Sequence, residues 1–93
     1  MNEKIRKHIF FYGRVQGVGC RFFCQMNASS LSLTGWVRNL DNGMVELEVQ
    51  GNEDSVNKYI STITKGNRFI RVDDYSIKKK DLISNERSFK TTY

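Results

Sequence analysis

The chain has 93 residues, enough for one domain and too few for a two-domain cleft enzyme, a barrel or a full dinucleotide-binding fold. With 39% hydrophobic and 12% aromatic residues it can build a compact core, and no apolar run approaches the roughly 18 residues of a membrane span. Fifteen Lys and Arg against ten Asp and Glu leave a net charge of +5, which favours anionic partners such as phosphates, nucleic acid or acidic metabolites.

The start, Met1-Asn2-Glu3-Lys4, carries charge with no apolar segment behind it, so no secretory signal is expected and the reading is a small cytoplasmic domain. Ile9-Phe10-Phe11-Tyr12 is a β-branched and aromatic run that reads as the first strand. Residues 13–19 hold three glycines in seven positions, a loop with unusual dihedrals. From Cys20 the spacing becomes helical, with Cys24, Ala28 and Leu31 as an apolar seam, and Cys20 and Cys24 read as buried thiols of that helix. Residues 34–40 read as a second strand, and Asp41-Asn42-Gly43 as a tight hairpin turn.

The third strand alternates Val45, Leu47 and Val49 with Glu46, Glu48 and Gln50, which predicts one buried face and one wet face. Asn52 then caps a second helix whose seam is Val56, Ile60 and Ile63 and which ends at Lys65-Gly66. Residues 69–80 and 88–93 read as a fourth and a shorter fifth strand around a polar loop. The order βαββαβ with a terminal extension predicts an α+β fold, the ferredoxin-like sandwich, with two helices on one face of an antiparallel sheet and the whole of 1–93 as a single domain.

Two segments carry chemistry. In Gly13-Arg14-Val15-Gln16-Gly17-Val18-Gly19-Cys20-Arg21 a glycine-rich loop leads into a helix, so that successive N–H groups can converge on one anion near a helix N-terminus. Arg21, in the first turn, supplies a planar fork for a phosphate, or is a solvated side chain beside a glycine-rich connection. The Gly-Lys-Ser/Thr ending of a Walker loop is missing. In Gly35-Trp36-Val37-Arg38-Asn39-Leu40, Asn39 has an amide that can orient a water, but taken alone the favoured reading is a cap for the turn that follows. His8 is placed at an edge of the first strand, in a packing or surface role, and no soft-ligand cluster accompanies it.

Together, Gly-Arg-Val-Gln-Gly-Val-Gly-x-Arg and Gly-Trp-Val-Arg-Asn resemble the acylphosphatase family, and the likeness continues through Gln25, Ala28, Leu31, Leu33, Val45-Glu46, Gly51, Phe89 and Tyr93. The resemblance implies hydrolysis of acyl phosphates, with inorganic phosphate as a product and no metal or cofactor. It implies that Arg21 is the phosphate-binding catalytic arginine and Asn39 the water-orienting asparagine. It implies also that Arg14, Val15, Gln16, Gly17, Val18, Gly19 and Cys20 form the cradle of backbone amides. Three departures accompany it: Cys20 where phenylalanine is usual, Ser32 in place of glycine after the first helix, and Gly66-Asn67 in place of Gly-Pro.

The partner expected on this reading is a small-molecule acyl phosphate, with no nucleic acid and no membrane, and a monomer is the default at this size although an edge strand could pair. Two other readings are a phosphate-binding module without turnover and an RNA-binding ferredoxin-like domain. The RNA reading draws on the +5 charge and on Phe10, Tyr12 and Trp36. Against it stand the missing RNP-type motif and the expected exposure of Glu46 and Glu48, which would repel a phosphate backbone.

Overall fold

The computed structural model describes residues 3–93. The elements are β1 (Lys4–Arg14), α1 (Cys20–Ser30), β2 (Thr34–Asn39), β3 (Val45–Asn52), α2 (Glu53–Lys65), β4 (Arg71–Lys80) and β5 (Phe89–Thr91). They form one five-stranded sheet in the order β4-β1-β3-β2-β5. The first four strands pair antiparallel, as expected for a ferredoxin-like sandwich, while β5 pairs parallel to β2, so the complete sheet is mixed.

Both helices cover one face. From the sheet, Phe11, Val37, Val45, Leu47 and Val49 point into the core, where Cys24, Ala28, Val56 and Ile63 of the helices meet them. Tyr59 is also fully buried, and its hydroxyl donates to the Cys24 carbonyl at 3.0 Å, which satisfies its one polar group. The helix seams differ slightly from the expected ones. In α1 the buried set is Cys20, Cys24 and Ala28, and Leu31 sits half-buried just past the helix end; in α2 Tyr59 takes the buried place and Ile60 lies half-buried.

Helix ends follow local chemistry. Asn52 caps α2 by accepting from the Asp54 N–H at 3.0 Å, and Gly66 closes it with φ of 70°. After α1 the chain turns through Ser32 at φ 57°, a left-handed conformation that glycine adopts at lower cost. β4 starts at Arg71 and not at residue 69, because the Asn67 side chain accepts from the N–H groups of Phe69 and Ile70 and holds them in a turn.

The largest correction concerns the second face of β3. Glu46, Glu48 and Gln50, expected to be wet, are 7%, 8% and 1% exposed. The cause is a charged network fed by β1 and by the segment that follows β4. Arg6 donates through Nε to Glu48 Oε1 (2.6 Å), through Nη1 to Gln50 Oε1 (3.2 Å) and through both Nη atoms to Glu86 (2.7 and 3.2 Å). Gln50 exchanges hydrogen bonds with the main chain of Ile83, and Thr34 donates to Glu86 at 2.7 Å. Glu46 is held by Arg38 Nε and His8 Nε2, each at 2.7 Å. β1 lies between β4 and β3, so His8 belongs to an interior strand and not to an edge.

Burial alone would push the Glu86 carboxyl up, but hydrogen bonds from Arg6 and Thr34 outweigh it and hold Glu86 below the ordinary carboxylate value. A carboxyl depressed in the folded chain stabilises above its unfolded pKa, and that contribution is lost as pH falls through the lower folded value. Arg6→Met should therefore cost about 3–5 kcal/mol in urea unfolding at pH 7, because it strands buried carboxylates. The deficit should shrink below about pH 4, where the Glu86 carboxyl takes up its proton and the ion pair no longer contributes. Ser32→Gly should raise stability by about 0.5–1 kcal/mol, read as a higher urea midpoint at unchanged slope.

Candidate active site

The loop between β1 and α1 is shaped by glycine and held by glutamine. Gly17 and Gly19 adopt φ of 74° and 78°, and a Cβ built on either would meet no atom within 4 Å, so both face open space. Val15 is buried and anchors the start of the loop. Gln16 donates through Nε2 to the Leu40 and Met44 carbonyls, both at 2.8 Å, and so ties the loop to the β2–β3 turn. That turn is the one expected from Asp41-Asn42-Gly43, closed by Leu40 N–H to Met44 O at 2.9 Å with Gly43 at φ 91°.

Past the loop, Phe23 is the first residue whose N–H finds a backbone acceptor, the Gly19 carbonyl at 3.0 Å. The N–H groups of residues 16–22 have none among the described hydrogen bonds. Free donors at the start of an 11-residue helix, where the dipole places roughly half a positive charge, form a site that attracts an anion. They open onto a cleft of about 380 Å³ lined by Val15, Gly17, Gly19, Cys20, Arg21, Phe22, Gln25, Asn39, Thr91 and Tyr93.

Arg21 and Asn39 thus meet in one cleft although 18 positions separate them (39 − 21). Arg21 reaches back from the first turn of α1: its Nη1 donates to the Thr92 carbonyl at 3.3 Å, and its guanidinium carbon lies 4.7 Å from the centre of the Tyr93 ring. Asn39 is the last residue of β2, and its Oδ1 is buried without any protein donor. Cys20 is buried against Cys24; a hydrogen bond from the Cys24 thiol, acting against burial, holds the Cys20 thiol below its ordinary value. Cys24 is pushed up by that same bond and by burial.

Three residues named from the sequence do not line the cleft. Arg14 ends β1 opposite Arg71 and borders a separate depression with Tyr12, Asn42 and Asp73. Gln16 spends its side chain on the clamp, and the Val18 side chain packs against the core. Conversely, the sequence reading missed Phe22, Thr91 and the Arg21–Tyr93 stack. Thr91 Oγ1 donates to Gln25 Oε1 at 2.8 Å, which docks β5 beside α1. The i, i+4 spacing of Arg21 and Gln25 was the available signal for a shared helix side, but the partner strand lies 66 residues further on.

The open face of the sheet is not the repulsive acidic surface expected of Glu46 and Glu48. Both carboxylates are hydrogen-bonded, to Arg38 and His8 and to Arg6 respectively. Among the described residues no group of three or more His, Cys, Asp or Glu could hold a metal ion, and no helix is long and apolar enough to cross a membrane.

A profile described as Acylphosphatase matches residues 7–91. An acylphosphatase from Clostridium perfringens is 53% identical over 89 residues, covering 94% of this chain and 98% of that relative. One from Clostridium beijerinckii is 47% identical, covering 96% of this chain and 99% of that relative. The crystal structure of acylphosphatase from Bacillus subtilis superposes with a TM-score of 0.90 at 35% identity, covering 96% of this chain and 99% of that one. A match of this extent, over the strands, helices and loop that build the cleft, means that the chain belongs to the acylphosphatase family.

Proposed function

We propose that the cleft hydrolyses acyl phosphates to a carboxylate and inorganic phosphate, with Arg21 and the loop amides of residues 15–20 binding the phosphoryl group and Asn39 orienting the water. The observation that carries this reading is the buried, unpaired Oδ1 of Asn39 in the same cleft as Arg21. A buried acceptor left without a donor costs about 1–3 kcal/mol, and a water O–H pointed at it removes that cost. The same contact fixes the water oxygen relative to a phosphate held at the loop.

The chemistry asks for little more. The leaving group is a carboxylate whose conjugate acid has a pKa of about 4, so it departs at pH 7 without a general acid. Phosphoryl transfer needs positioning and charge stabilisation above all. The water oxygen bonds to phosphorus, the P–O bond to the acyl group breaks, and both water hydrogens end on the phosphate product. Arg21 and the free N–H groups at the start of α1 stabilise the charge that moves in that step. Val15, Gln16, Val18 and Cys20 contribute main-chain N–H groups, and Gly17 and Gly19 let the chain take the curvature this requires. Gln16 positions the whole loop through its clamp on residues 40 and 44.

The test is hydrolysis of benzoyl phosphate by purified protein with chelator present. Arg21→Ala should abolish turnover and weaken competitive inhibition by inorganic phosphate. Arg21→Lys should still lose about 10²–10³-fold in kcat, because charge without the planar fork cannot grip two phosphoryl oxygens. Retention of most of the wild-type rate in that variant would refute the guanidinium argument. Asn39→Ala should lower kcat by about 10²-fold with the inhibition constant for phosphate nearly unchanged. A large loss of phosphate affinity there would move Asn39 from water positioning to substrate binding. Folded wild-type protein that bound phosphate without turnover would be a binding module.

A further inference from the structure

The two ends of the sheet are unlike each other. β5 closes one end with three residues and β4 the other with ten, and among the described residues no strand pairs with the outer side of β4. Every residue of β4 except Val72 is exposed, including Tyr75 at 49% and Ile77 at 38%. Tyr75 lies opposite Phe11 and Ile77 opposite Ile9, so both stand on the helix side of the sheet, at its rim. Asp74 and Lys78 share the other face, opposite Tyr12 and His8, and Asp74 Oδ2 accepts from the Tyr12 hydroxyl at 3.1 Å. The Tyr75 N–H donates to Asp74 Oδ1 at 2.8 Å and so faces the free edge; Ile77, two residues on, faces the same way in an antiparallel ladder.

The charges along this edge are ordered. Arg71, Asp73 and Asp74 stand at its start, Lys78, Lys79 and Lys80 at its end, and Asp81 follows. None of the three lysines enters an ion pair among the described residues. A lysine-rich edge ordinarily repels other strands. That repulsion requires lysine to meet lysine, and antiparallel pairing of β4 with itself does the reverse. Centred on Ser76, it sets Asp74 against Lys78, Asp73 against Lys79, Arg71 against Asp81 and Tyr75 against Ile77, each twice by symmetry. Centred one residue earlier, it would set Arg71 against Lys79; one residue later, Asp73 against Asp81. The ladder is regular only from residue 74 onward, and Asp73 is already held by Arg71 at 2.9 Å, so Asp74 with Lys78 is the decisive pair.

We propose that the β4 edge is the interface of a symmetric dimer, in which two copies of this chain join antiparallel about Ser76 into one continuous sheet. Tyr75 and Ile77 exchange about four main-chain hydrogen bonds with their counterparts. The Asp74 carboxylate turns from the Tyr75 N–H to Lys78 of the second copy, and the facing Tyr75 and Ile77 side chains cover each other's apolar surface. The strands that line the cleft, β2 and β5, lie at the other end of the sheet, so both clefts stay open.

Sedimentation velocity over a concentration series tests this. The interface is small, so wild-type protein should be half dimeric on the order of 100 µM. Asp74→Lys and Lys78→Asp should each weaken dimerisation about tenfold or more, because each places like charges opposite one another. Mixed in equal amounts, these two variants should form a heterodimer as readily as the wild type dimerises, since the lysines of one chain then meet the aspartates of the other. Lys58→Asp makes the same charge change on an exposed position of α2 and should leave the wild-type equilibrium unmoved. Far-ultraviolet circular dichroism checks that each variant is folded. Wild-type protein that stays monomeric throughout the series overturns the proposal, and the lysines would then serve to keep the edge free. A dimer that persists in Asp74→Lys, or a mixture no more dimeric than its two components, overturns it as well.

Discussion

One side chain sets the geometry on which the cleft depends. Gln16 bridges the Leu40 and Met44 carbonyls with its single amide nitrogen, two bonds of 2.8 Å made across 24 and 28 residues. Through it, the loop that gathers free N–H groups is registered against the strand end that carries Asn39. Neither half is stiff alone, since the loop contains two glycines in left-handed conformation and the turn a third. Tied together and seated on the buried Val15, they form one continuous wall.

The two faces of the sheet divide the work of holding that wall in place. The helix side is an apolar core closed by a single buried hydroxyl bond from Tyr59. The other side is held by charge. Arg6, fully buried, meets Glu48, Gln50 and Glu86 together, so strands β1 and β3 are joined to the segment before β5. Such a cluster stabilises little compared with apolar packing, because each ion gives up its water to enter. What it imposes is register: a strand slip by one residue would turn Arg6 into the apolar core and strand the carboxylates.

β5 follows from this arrangement. Only three residues long, it is held at Gly35 through Trp36 and Val37 by pairing and at Gln25 by Thr91. Gly35 has to be glycine there, since a Cβ would collide with the Glu48 carbonyl oxygen. The short strand delivers Thr92 and Tyr93 to Arg21, giving the guanidinium a carbonyl and an aromatic face to rest on. Arg21 is thereby kept at the cleft.

Much of this was legible in the residues, because it depends on neighbours in the chain. Three glycines in seven positions specify a loop with positive φ, Asn52 caps a helix through the next turn, and Asp41-Asn42-Gly43 closes a hairpin, all interactions within a few residues. The same locality made the two motifs around Arg21 and Asn39 recognisable, and with them the family. The burial of Glu46 and Glu48, the interior placement of His8, the parallel pairing of β5 and the Arg21–Tyr93 stack were not legible. Each depends on a partner between 8 and 80 residues away, as Arg38 to Glu46 and Arg6 to Glu86 mark the two ends of that range. An alternating strand predicts which residues share a face; whether that face meets water depends on what the rest of the chain lays over it. The sequence by itself determined the elements, their caps and the chemical groups available, because those follow from side-chain type and near neighbours. Only the tertiary structure decided which groups share a cleft, since that is settled by strand order and by long-range hydrogen bonds that no local pattern encodes.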